Sequence, residues 1–515
     1  MGKLLPGFRK SLVDEIQIGI LANTSHYYAF ASNPVPFTGS LPTTKGDDYD
    51  AVFGNDWKMV FGKKLNANNI FAMIKRYDWT SNTIYSYYDD KQDLSNSQFY
   101  VITTPTSSVG YYNIYKCIDN ANGVPSTSQP DLVQPQSFQK SDGYIWRYIS
   151  SIDYVTYARY TTTQFVPVTS NATIVASAAN YTGVEKIVVT NAGSGYETWH
   201  NGAINGVLDS YTIQIANNAA TVDNYYTNNS IYIYDVNGGT AQLRNIVAYN
   251  STIGQGNFVT VDAAVNTTLI TAGSTQYKIS PQVYFETDAS SKPKAYSTVT
   301  PGNNTIGAIT IVDTGSGLTW ANAKIISNSS YGTGASLRPI APPAGGHGHA
   351  PSAELQAAGI GYSFTFSNTE LNSISTDLTY NQIGIIRNPT SLLQDGSGDS
   401  NGVFWLANTF NQVLKASINP TGVLYTVGDT VKGRTSNATG VVVFSNSSVL
   451  HLVGDKYFSN LEMVTSSDGI RSTAITINTY GDIYASDVYP LYVQNIDNVT
   501  RSNTQSETFK LIIQV

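Results

Sequence analysis

Short runs of alternating apolar and polar residues dominate this chain, and the clearest of them lie between residues 98 and 152. Three segments in that range are rich in aromatic and β-branched residues. Clusters of Pro, Gly, Ser and Asn separate them. This pattern predicts, in order, a strand, a turn, a strand, a long loop and a strand.

The third of these strands is predicted to be covered on both faces. Its alternation places the aromatic side chains of Tyr144, Trp146 and Tyr148 on one face. Arg147 lies on the opposite face between two isoleucines, where we expect it to neutralise a carboxylate or to anchor a neighbouring loop. The dipeptide Asp142-Gly143 is predicted to form the turn that precedes the strand.

The first hundred residues contain a helical period and further short apolar runs. Apolar side chains recur every fourth residue from Phe8 to Ile20, which predicts an amphipathic helix over about residues 8–22. A strand is predicted at His26–Phe30. A second helix, capped by Asn55, is predicted to run through Trp57, Val60 and Phe61.

The composition shifts after Pro167, where an internal repeat begins. Residues 184–199 and 306–320 share an apolar strand, a Gly-Ser-Gly turn and a Trp, which marks duplicated strand-turn units. The segments between the two copies alternate at short spacing, as in a β-sandwich or barrel. A second run of short strands and Gly/Asn/Ser turns, residues 408–477, predicts a small barrel.

One combination of residues resembles a known family. An aromatic-Lys-Cys-apolar-Asp strand is followed by a Pro-rich loop and by Ser-Asp-Gly-Tyr-Ile-Trp-Arg-Tyr. The shared positions are Tyr115, Cys117, Asp119, Asp142, Gly143, Tyr144, Trp146 and Tyr148. In combination they resemble the baseplate wedge protein, gene product eight, of T-even-type contractile-tailed bacteriophages. The resemblance extends to Arg387-Asn388-Pro389 and to the C-terminal segment, and covers roughly half of the chain.

The resemblance implies a split core, and the composition shifts suggest where it is divided. The predicted fold is mainly β: an α+β core with few helices, interrupted by two all-β insertions, one sandwich-like and one a small barrel. The core is expected to comprise residues 1–168, 346–407 and 478–515. The insertions are expected at residues 169–345, which carry the Gly-Ser-Gly repeats, and at residues 408–477.

The resemblance also implies a function and a location. It implies a non-enzymatic structural component of a phage tail baseplate wedge that binds other wedge proteins and forms a homodimer. The protein would be found in the virion and would assemble in the host cytoplasm. The alternative is a receptor-binding or polysaccharide-degrading tail protein, and contact with the host surface is left open. A cell-surface adhesin is disfavoured because the N-terminal residues do not resemble a signal peptide.

Composition narrows the classes of partner. Charged residues make up 13% of the 515 residues, and the chain has 36 Tyr and a net charge of −7. With no basic stripe, nucleic acid is not an expected partner. No apolar run reaches the length of a membrane span, so no membrane is expected. The single cysteine, Cys117, is predicted to be a buried structural thiol.

Three motifs could carry chemistry, and a structural interpretation is preferred for each. Asp313-Thr314-Gly315-Ser316-Gly317 resembles an aspartic protease loop, but the matching repeat has Asn191, which cannot ionise. His347 and His349 could bind a metal if subunits pooled their ligands, although a flexible turn is preferred. The segment from Asp395 to Gly402 resembles a calcium loop, but Leu406 stands where a bidentate Glu is needed.

No phosphate-binding loop or dinucleotide fingerprint occurs in the sequence. The sequence therefore predicts no catalytic, cofactor-binding or metal-binding residues, and no cofactor. In an enzyme, Asp142 and Arg147 would be the first candidates near the central strand. As a scaffold, the same segment predicts that Trp146→Ala is strongly destabilising and that Asp142→Asn is nearly silent.

Overall fold

The computed structural model of the chain describes residues 5–42, 58–105, 110–235, 241–252, 256–327, 330–370, 374–393, 398–419, 424–454 and 456–514. Over these ranges the protein is mainly β. The α-helices are short and are α1 (Pro6–Leu21), α2 (Tyr154–Tyr160), α3 (Ala172–Ala178) and α4 (Pro351–Glu354). None of the described helices combines the length and the apolar character needed to cross a lipid bilayer.

The strands account for most of the regular structure. Those of residues 1–168 are β1 (Tyr27–Ser32), β2 (Met59–Lys64), β3 (Ile70–Lys75), β4 (Tyr100–Thr103), β5 (Tyr112–Asp119), β6 (Phe138–Gln139), β7 (Ile145–Ile152) and β8 (Phe165–Val168). Those of residues 169–345 are β9 (Lys186–Ser194), β10 (His200–Ala203), β11 (Gly206–Val207), β12 (Thr212–Ile215), β13 (Asn229–Tyr234), β14 (Gln242–Thr252), β15 (Gly256–Val261), β16 (Gln276–Thr287), β17 (Lys294–Thr300), β18 (Thr305–Asp313), β19 (Ala321–Ile326) and β20 (Thr333–Ile340). Those of residues 346–515 are β21 (Gly359–Phe366), β22 (Leu378–Arg387), β23 (Thr390–Leu392), β24 (Ser400–Phe404), β25 (Thr409–Asn411), β26 (Leu414–Ile418), β27 (Thr430–Gly433), β28 (Thr439–Ser445), β29 (Val449–Gly454), β30 (Met463–Ser466), β31 (Ser472–Thr479), β32 (Tyr489–Arg501) and β33 (Glu507–Gln514).

One compact unit combines residues 1–73 with residues 358–515. It contains a five-stranded sheet in the order β25-β2-β1-β22-β32 and a second sheet in which β21 lies between β33 and β3. It also contains a closed barrel of six strands, β26-β29-β28-β27-β30-β31, which is filled by apolar side chains. The predicted mainly-β fold with a small barrel insertion is therefore confirmed.

The other compact unit is residues 74–357. Strands β9–β20 form a 12-stranded sheet with separate apolar cores around Ile231 and around Phe285. A four-stranded sheet in the order β4-β5-β7-β6 lies in the same unit. Residues 74–168 thus share a compact unit with residues 169–345, whereas the sequence predicts that they belong to the split core. Which segments fold independently stays a prediction.

Local predictions near the N-terminus have mixed outcomes. The predicted helix is confirmed as α1, and the strand at His26–Phe30 is confirmed as β1. The predicted helix through Val60 and Phe61 is wrong, because both residues lie in strand β2 between β25 and β1. Strand β2 is buried on both faces, and a short buried strand cannot be told from a buried helix by periodicity. Asn55 and Trp57 lie outside the described residues.

The two Gly-Ser-Gly copies adopt the same turn. The Asn191 side-chain oxygen accepts a hydrogen bond from the Gly193 amide at 2.9 Å, and Asp313 accepts one from the Gly315 amide at 2.9 Å. The first glycine of each copy is left-handed, with φ of 62° and 72°. A Cβ at Gly193 would lie 2.4 Å from a backbone oxygen, so glycine is required there. Asn and Asp therefore have the same turn-forming role, which supports the structural interpretation of the repeat.

The sheet β4-β5-β7-β6 has an aromatic face. Cys117 of β5 lies opposite Trp146 of β7, and Tyr115 lies opposite Tyr148. These four side chains and Tyr144 are buried in one cluster. The expectation that both faces of β7 are covered is confirmed, because most of its residues are buried. The opposite face of the same two strands carries the charged residues described next.

Candidate functional site

Two cations face each other across strands β5 and β7. Lys116 is the cross-strand partner of Arg147, so the two side chains project from the same face of the sheet. Both residues are buried, Lys116 completely. Like charges directly opposite each other destabilise a sheet, and buried charges require partners. Carboxylates from two distant parts of the chain supply those partners.

Glu354, in helix α4, is the partner of Lys116. One carboxylate oxygen contacts the Lys116 ammonium, and the other accepts a hydrogen bond from the Gly348 amide at 2.6 Å. His347 Nδ1 also contacts the Lys116 ammonium, and it lies 2.8 Å from Glu354 Oε1, the oxygen that contacts Lys116. The ring of Tyr88 covers the ammonium, which lies 3.8 Å from the ring centroid. Lys116 is thus enclosed by an anion, an imidazole and an aromatic face.

Glu185, just before strand β9, is the partner of Arg147. The Nη1 group of Arg147 donates to Glu185 Oε1 at 2.9 Å and to the Ser137 hydroxyl at 3.2 Å. His347 Nε2 lies 3.2 Å from the same Glu185 oxygen, so the imidazole lies between the two carboxylates. The guanidinium carbon lies 4.9 Å from the ring centroid of Tyr181. The expectation that Arg147 neutralises a carboxylate is confirmed.

The loop that carries His347 depends on glycine. Gly346 and Gly348 have φ of 87° and 81°, in the left-handed region. A Cβ at Gly346 would lie 2.1 Å from the Ala178 carbonyl oxygen, and one at Gly348 would lie 2.3 Å from the Ile174 side chain. The Gly-rich sequence therefore lets the loop pack closely against helix α3 and brings His347 and Glu354 to the cations.

The electrostatics of this charge cluster (Lys116, Arg147, Glu185, His347 and Glu354) are dominated by burial and pairing. Burial lowers the pKa of Lys116, and this outweighs the opposing effect of Glu354. Burial by itself would raise the pKa of Glu354, but Lys116 and His347 lower it to about 2. Burial would likewise raise the pKa of Glu185. The nearby His347, Arg147 and Lys116 outweigh this effect and lower the pKa to about 2. Both carboxylates are therefore ionised at neutral pH.

These lowered pKa values predict acid sensitivity for the unit of residues 74–357. A carboxyl whose pKa falls from 4.5 to about 2 on folding stabilises the folded state above pH 4.5 and loses that contribution as the pH falls to about 2. Each carboxylate should change the free energy of unfolding by up to about 1.4 kcal/mol per pH unit within this window. Hydrogen exchange of strand β7 amides across a pH series measures the slope. The Glu354→Gln variant should show a shallower slope, and an equal slope would contradict the prediction.

A pocket of about 390 Å³ opens beside Arg147. Arg147, Glu185 and Tyr181 are among the residues that line it, together with the exposed residues Gln139 and Thr314. The pocket gives access to the Arg147 end of the charge cluster. Lys116 and Glu354, at the other end, have side chains only 0% and 1% exposed, so a molecule in solvent cannot reach them.

The two candidate metal-binding histidines are not brought together. His347 is buried in the charge cluster, whereas His349 is exposed. Within the part of the chain that the structure describes, no group of three or more His, Cys, Asp or Glu side chains is placed to hold a metal ion. Cys117 is a buried free thiol whose pKa is raised by burial, as predicted for a structural cysteine.

The candidate calcium loop is only partly described. Asp395 lies outside the described residues, whereas Asn401 belongs to strand β24 and Leu406 is exposed. The Asn401 side-chain oxygen accepts a hydrogen bond from the Val403 amide at 2.9 Å. Asn401 thus has a local turn contact, and the helix that would follow an EF-hand loop is replaced by a strand.

Asp142 has a larger structural role than a turn residue. One carboxylate oxygen accepts hydrogen bonds from the Ser126 hydroxyl and from the amides of Thr127 and Ser128, at 3.0, 2.8 and 2.9 Å. The other accepts one from the Tyr144 amide at 3.2 Å. Burial alone would raise the pKa of Asp142, but these hydrogen bonds outweigh it and the pKa is lowered. The carboxylate therefore anchors the 126–128 loop to the turn before β7.

The expectation that Asp142→Asn is silent is accordingly revised. An amide NH₂ group would face a backbone donor at one of the two oxygen positions, so at least one charge-assisted hydrogen bond is lost. We expect a loss of about 1–3 kcal/mol in the free energy of unfolding. Hydrogen exchange of the Thr127 and Ser128 amides should rise more than that of strand β5. Unchanged exchange at these amides would restore the simpler turn interpretation.

Three members of the charge cluster, Lys116, Glu185 and Glu354, were not predicted from the sequence. A signal was present for Lys116, which interrupts the apolar and aromatic run of residues 114–118. Its partners could not be identified, because His347 and Glu354 are 231 and 238 residues further along the chain. Comparison with models of known protein families gives no match, and comparison with curated proteins gives no match either.

Proposed function

We propose that this chain is a structural component of a phage tail baseplate wedge that links neighbouring wedge subunits by protein–protein contacts, without catalysis. The observation that supports it best is the set of residues shared with the baseplate wedge family. In this chain the shared residues Tyr115, Cys117, Tyr144, Trp146 and Tyr148 form one interlocked aromatic core. Residues that form a scaffold are expected to be buried together in this way.

The polar members of the shared set fit the same interpretation. Asp142 anchors a loop through three hydrogen bonds and accepts a fourth from the Tyr144 amide, and Gly143 has φ of 87° in the turn. Asp119 forms an ion pair with Lys186 at 2.8 Å. Each of these residues thus has a structural partner within the chain, which favours a scaffold role for the segment over a catalytic one.

Locating the chain in purified virions tests the proposal. We expect cryo-electron microscopy of tails to place it at six-fold repeated positions of the baseplate. Phage lacking the chain should assemble incomplete baseplates, and wild-type protein supplied in trans should restore them. Absence from the virion would contradict the proposal. Cleavage of host polysaccharide by the isolated chain would favour the alternative of a polysaccharide-degrading tail protein.

The resemblance further predicts a homodimer. A surface with few charges and many tyrosines suits association of two copies, because aromatic residues are enriched and charges depleted in interfaces. Sedimentation velocity of the isolated chain at micromolar concentration should show a species of twice the 55.7 kDa chain mass. A single monomeric species under these conditions would contradict this part of the proposal.

A further inference from the structure

The guanidinium of Arg147 is only partly satisfied within the chain. Its Nη1 group donates to Ser137 and Glu185, while Nε and Nη2 have no hydrogen-bond partner among the residues that the structure describes. Neither group is fully enclosed by protein, so both keep contact with solvent. The side chain is only 4% exposed and lines the 390 Å³ pocket, so the unpaired donors face that pocket.

The unpaired edge of Arg147 has a defined chemical preference. The Nε–H and one Nη2–H of a guanidinium point in parallel and match the two oxygens of a carboxylate. The guanidinium carbon lies 4.9 Å from the ring centroid of Tyr181, so this ring covers part of the guanidinium. Because Glu185 already lies at Nη1, a singly charged planar anion fits better than a doubly charged phosphate.

A bound carboxylate would act through the hydrogen-bond donors of Arg147 and not through a surplus of charge, because Glu185 and Glu354 already balance Arg147 and Lys116. The two unpaired donors of Arg147 keep contact with water, and a bound carboxylate would replace that water with two charge-assisted hydrogen bonds. We infer that the pocket beside Arg147 binds the carboxylate of an Asp or Glu side chain presented by a partner protein.

The surroundings of the pocket favour a peptide over a sugar acid. Strand β6, the two-residue strand that carries Gln139, is the edge strand of its sheet, and among the described strands it pairs with β7 only. Its outer side can receive an extended segment, as sheet edges do in peptide recognition. Gln139 and Thr314 also line the pocket, and both are exposed polar residues. The identity of the ligand as a protein partner rests on the proposed function, whereas the pocket itself does not.

Nuclear magnetic resonance of the full chain tests the pocket directly. The Nε–H signals of ¹⁵N-arginine-labelled protein can be followed during titration, and the loss of one signal in Arg147→Lys assigns Arg147. The probe is acetyl-Gly-Ser-Glu-Ser-Gly-amide, and its control has Gln in place of Glu. We expect a saturable shift of the Arg147 signal with the Glu peptide and an affinity for the Gln peptide weaker by about tenfold or more.

Substitutions at Gln139 provide controls that leave the buried cluster intact, because this residue is exposed. Gln139→Glu should weaken binding of the Glu peptide about two- to fivefold, and Gln139→Lys should strengthen it by a similar factor. Equal binding of both peptides, or no shift of the Arg147 signal, would overturn the inference. Tighter binding of inorganic phosphate or of a galacturonate trisaccharide would also overturn it.

These experiments separate the two proposals. A pocket that fails to bind the Glu peptide would leave the placement of the chain in the baseplate untouched. Absence of the chain from virions would remove the baseplate role, and the peptide titration would still decide whether the pocket recognises a carboxylate.

Discussion

Replacing Trp146 by Ala is expected to lower the free energy of unfolding by about 3–5 kcal/mol, the usual cost of deleting a large buried ring. Trp146 is fully buried in the central strand of its sheet, opposite Cys117 and Phe138. The indole stacks on Tyr144 at 5.5 Å and meets Tyr85 edge-on at 5.7 Å. Its N–H has no hydrogen-bond partner among the described residues, so we attribute the loss to packing.

The same chemical change at an exposed tryptophan is the matched control. Trp320 follows the second Gly-Ser-Gly turn and is 47% exposed, so Trp320→Ala should change stability by no more than about 0.5 kcal/mol. Hydrogen exchange of strands β5 and β7 measures both variants, because these strands report on opening of the aromatic core. Equal effects of the two substitutions would show that Trp146 does not support the sheet.

Much of the fold could be predicted because its pattern is local. The alternation at Tyr144, Trp146 and Tyr148 is a property of one strand, and the structure buries all three on one face. The Gly-Ser-Gly turns were visible as a repeat, because the conformation depends on Asn191 or Asp313 and the glycine two residues later. The mainly-β class and the barrel followed from the spacing of short strands and turns.

The charge cluster could not be predicted, because it depends on contacts between distant residues. Alternation assigns Lys116 to the face opposite Cys117 without stating what covers that face. The covering residues come from a Gly-rich loop whose composition indicates only a turn. A similar limit applies to Val60 and Phe61, which became a buried strand because β25 and β1 pair with both edges of β2. The local sequence pattern indicates a strand or a helix, whereas the residues that pair with it or cover it depend on the tertiary fold.

Glu354→Gln is expected to lower the free energy of unfolding by about 3–5 kcal/mol, as removal of one partner of a buried ion pair does. The substitution leaves two cations, Lys116 and Arg147, with Glu185 as the remaining carboxylate. Lys116→Met should cost less. It also removes the repulsion between the two cations, and Glu354 keeps the Gly348 amide as a hydrogen-bond donor. The order of the two single variants follows from the charges that each leaves behind.

The double variant Lys116→Met, Glu354→Gln should cost less than the sum of the single variants by about 2 kcal/mol or more. The matched control is the exposed pair Lys324–Glu286, whose side chains are 57% and 50% exposed. Its double-mutant cycle should give a coupling of only about 0.2–1 kcal/mol, because water screens exposed charges. Hydrogen exchange of strand β7 measures the first cycle, and that of strand β19 measures the second. If the two substitutions at Lys116 and Glu354 proved additive, the pair would not stabilise the sheet as a unit, and Lys116 would have to be neutral in the folded protein.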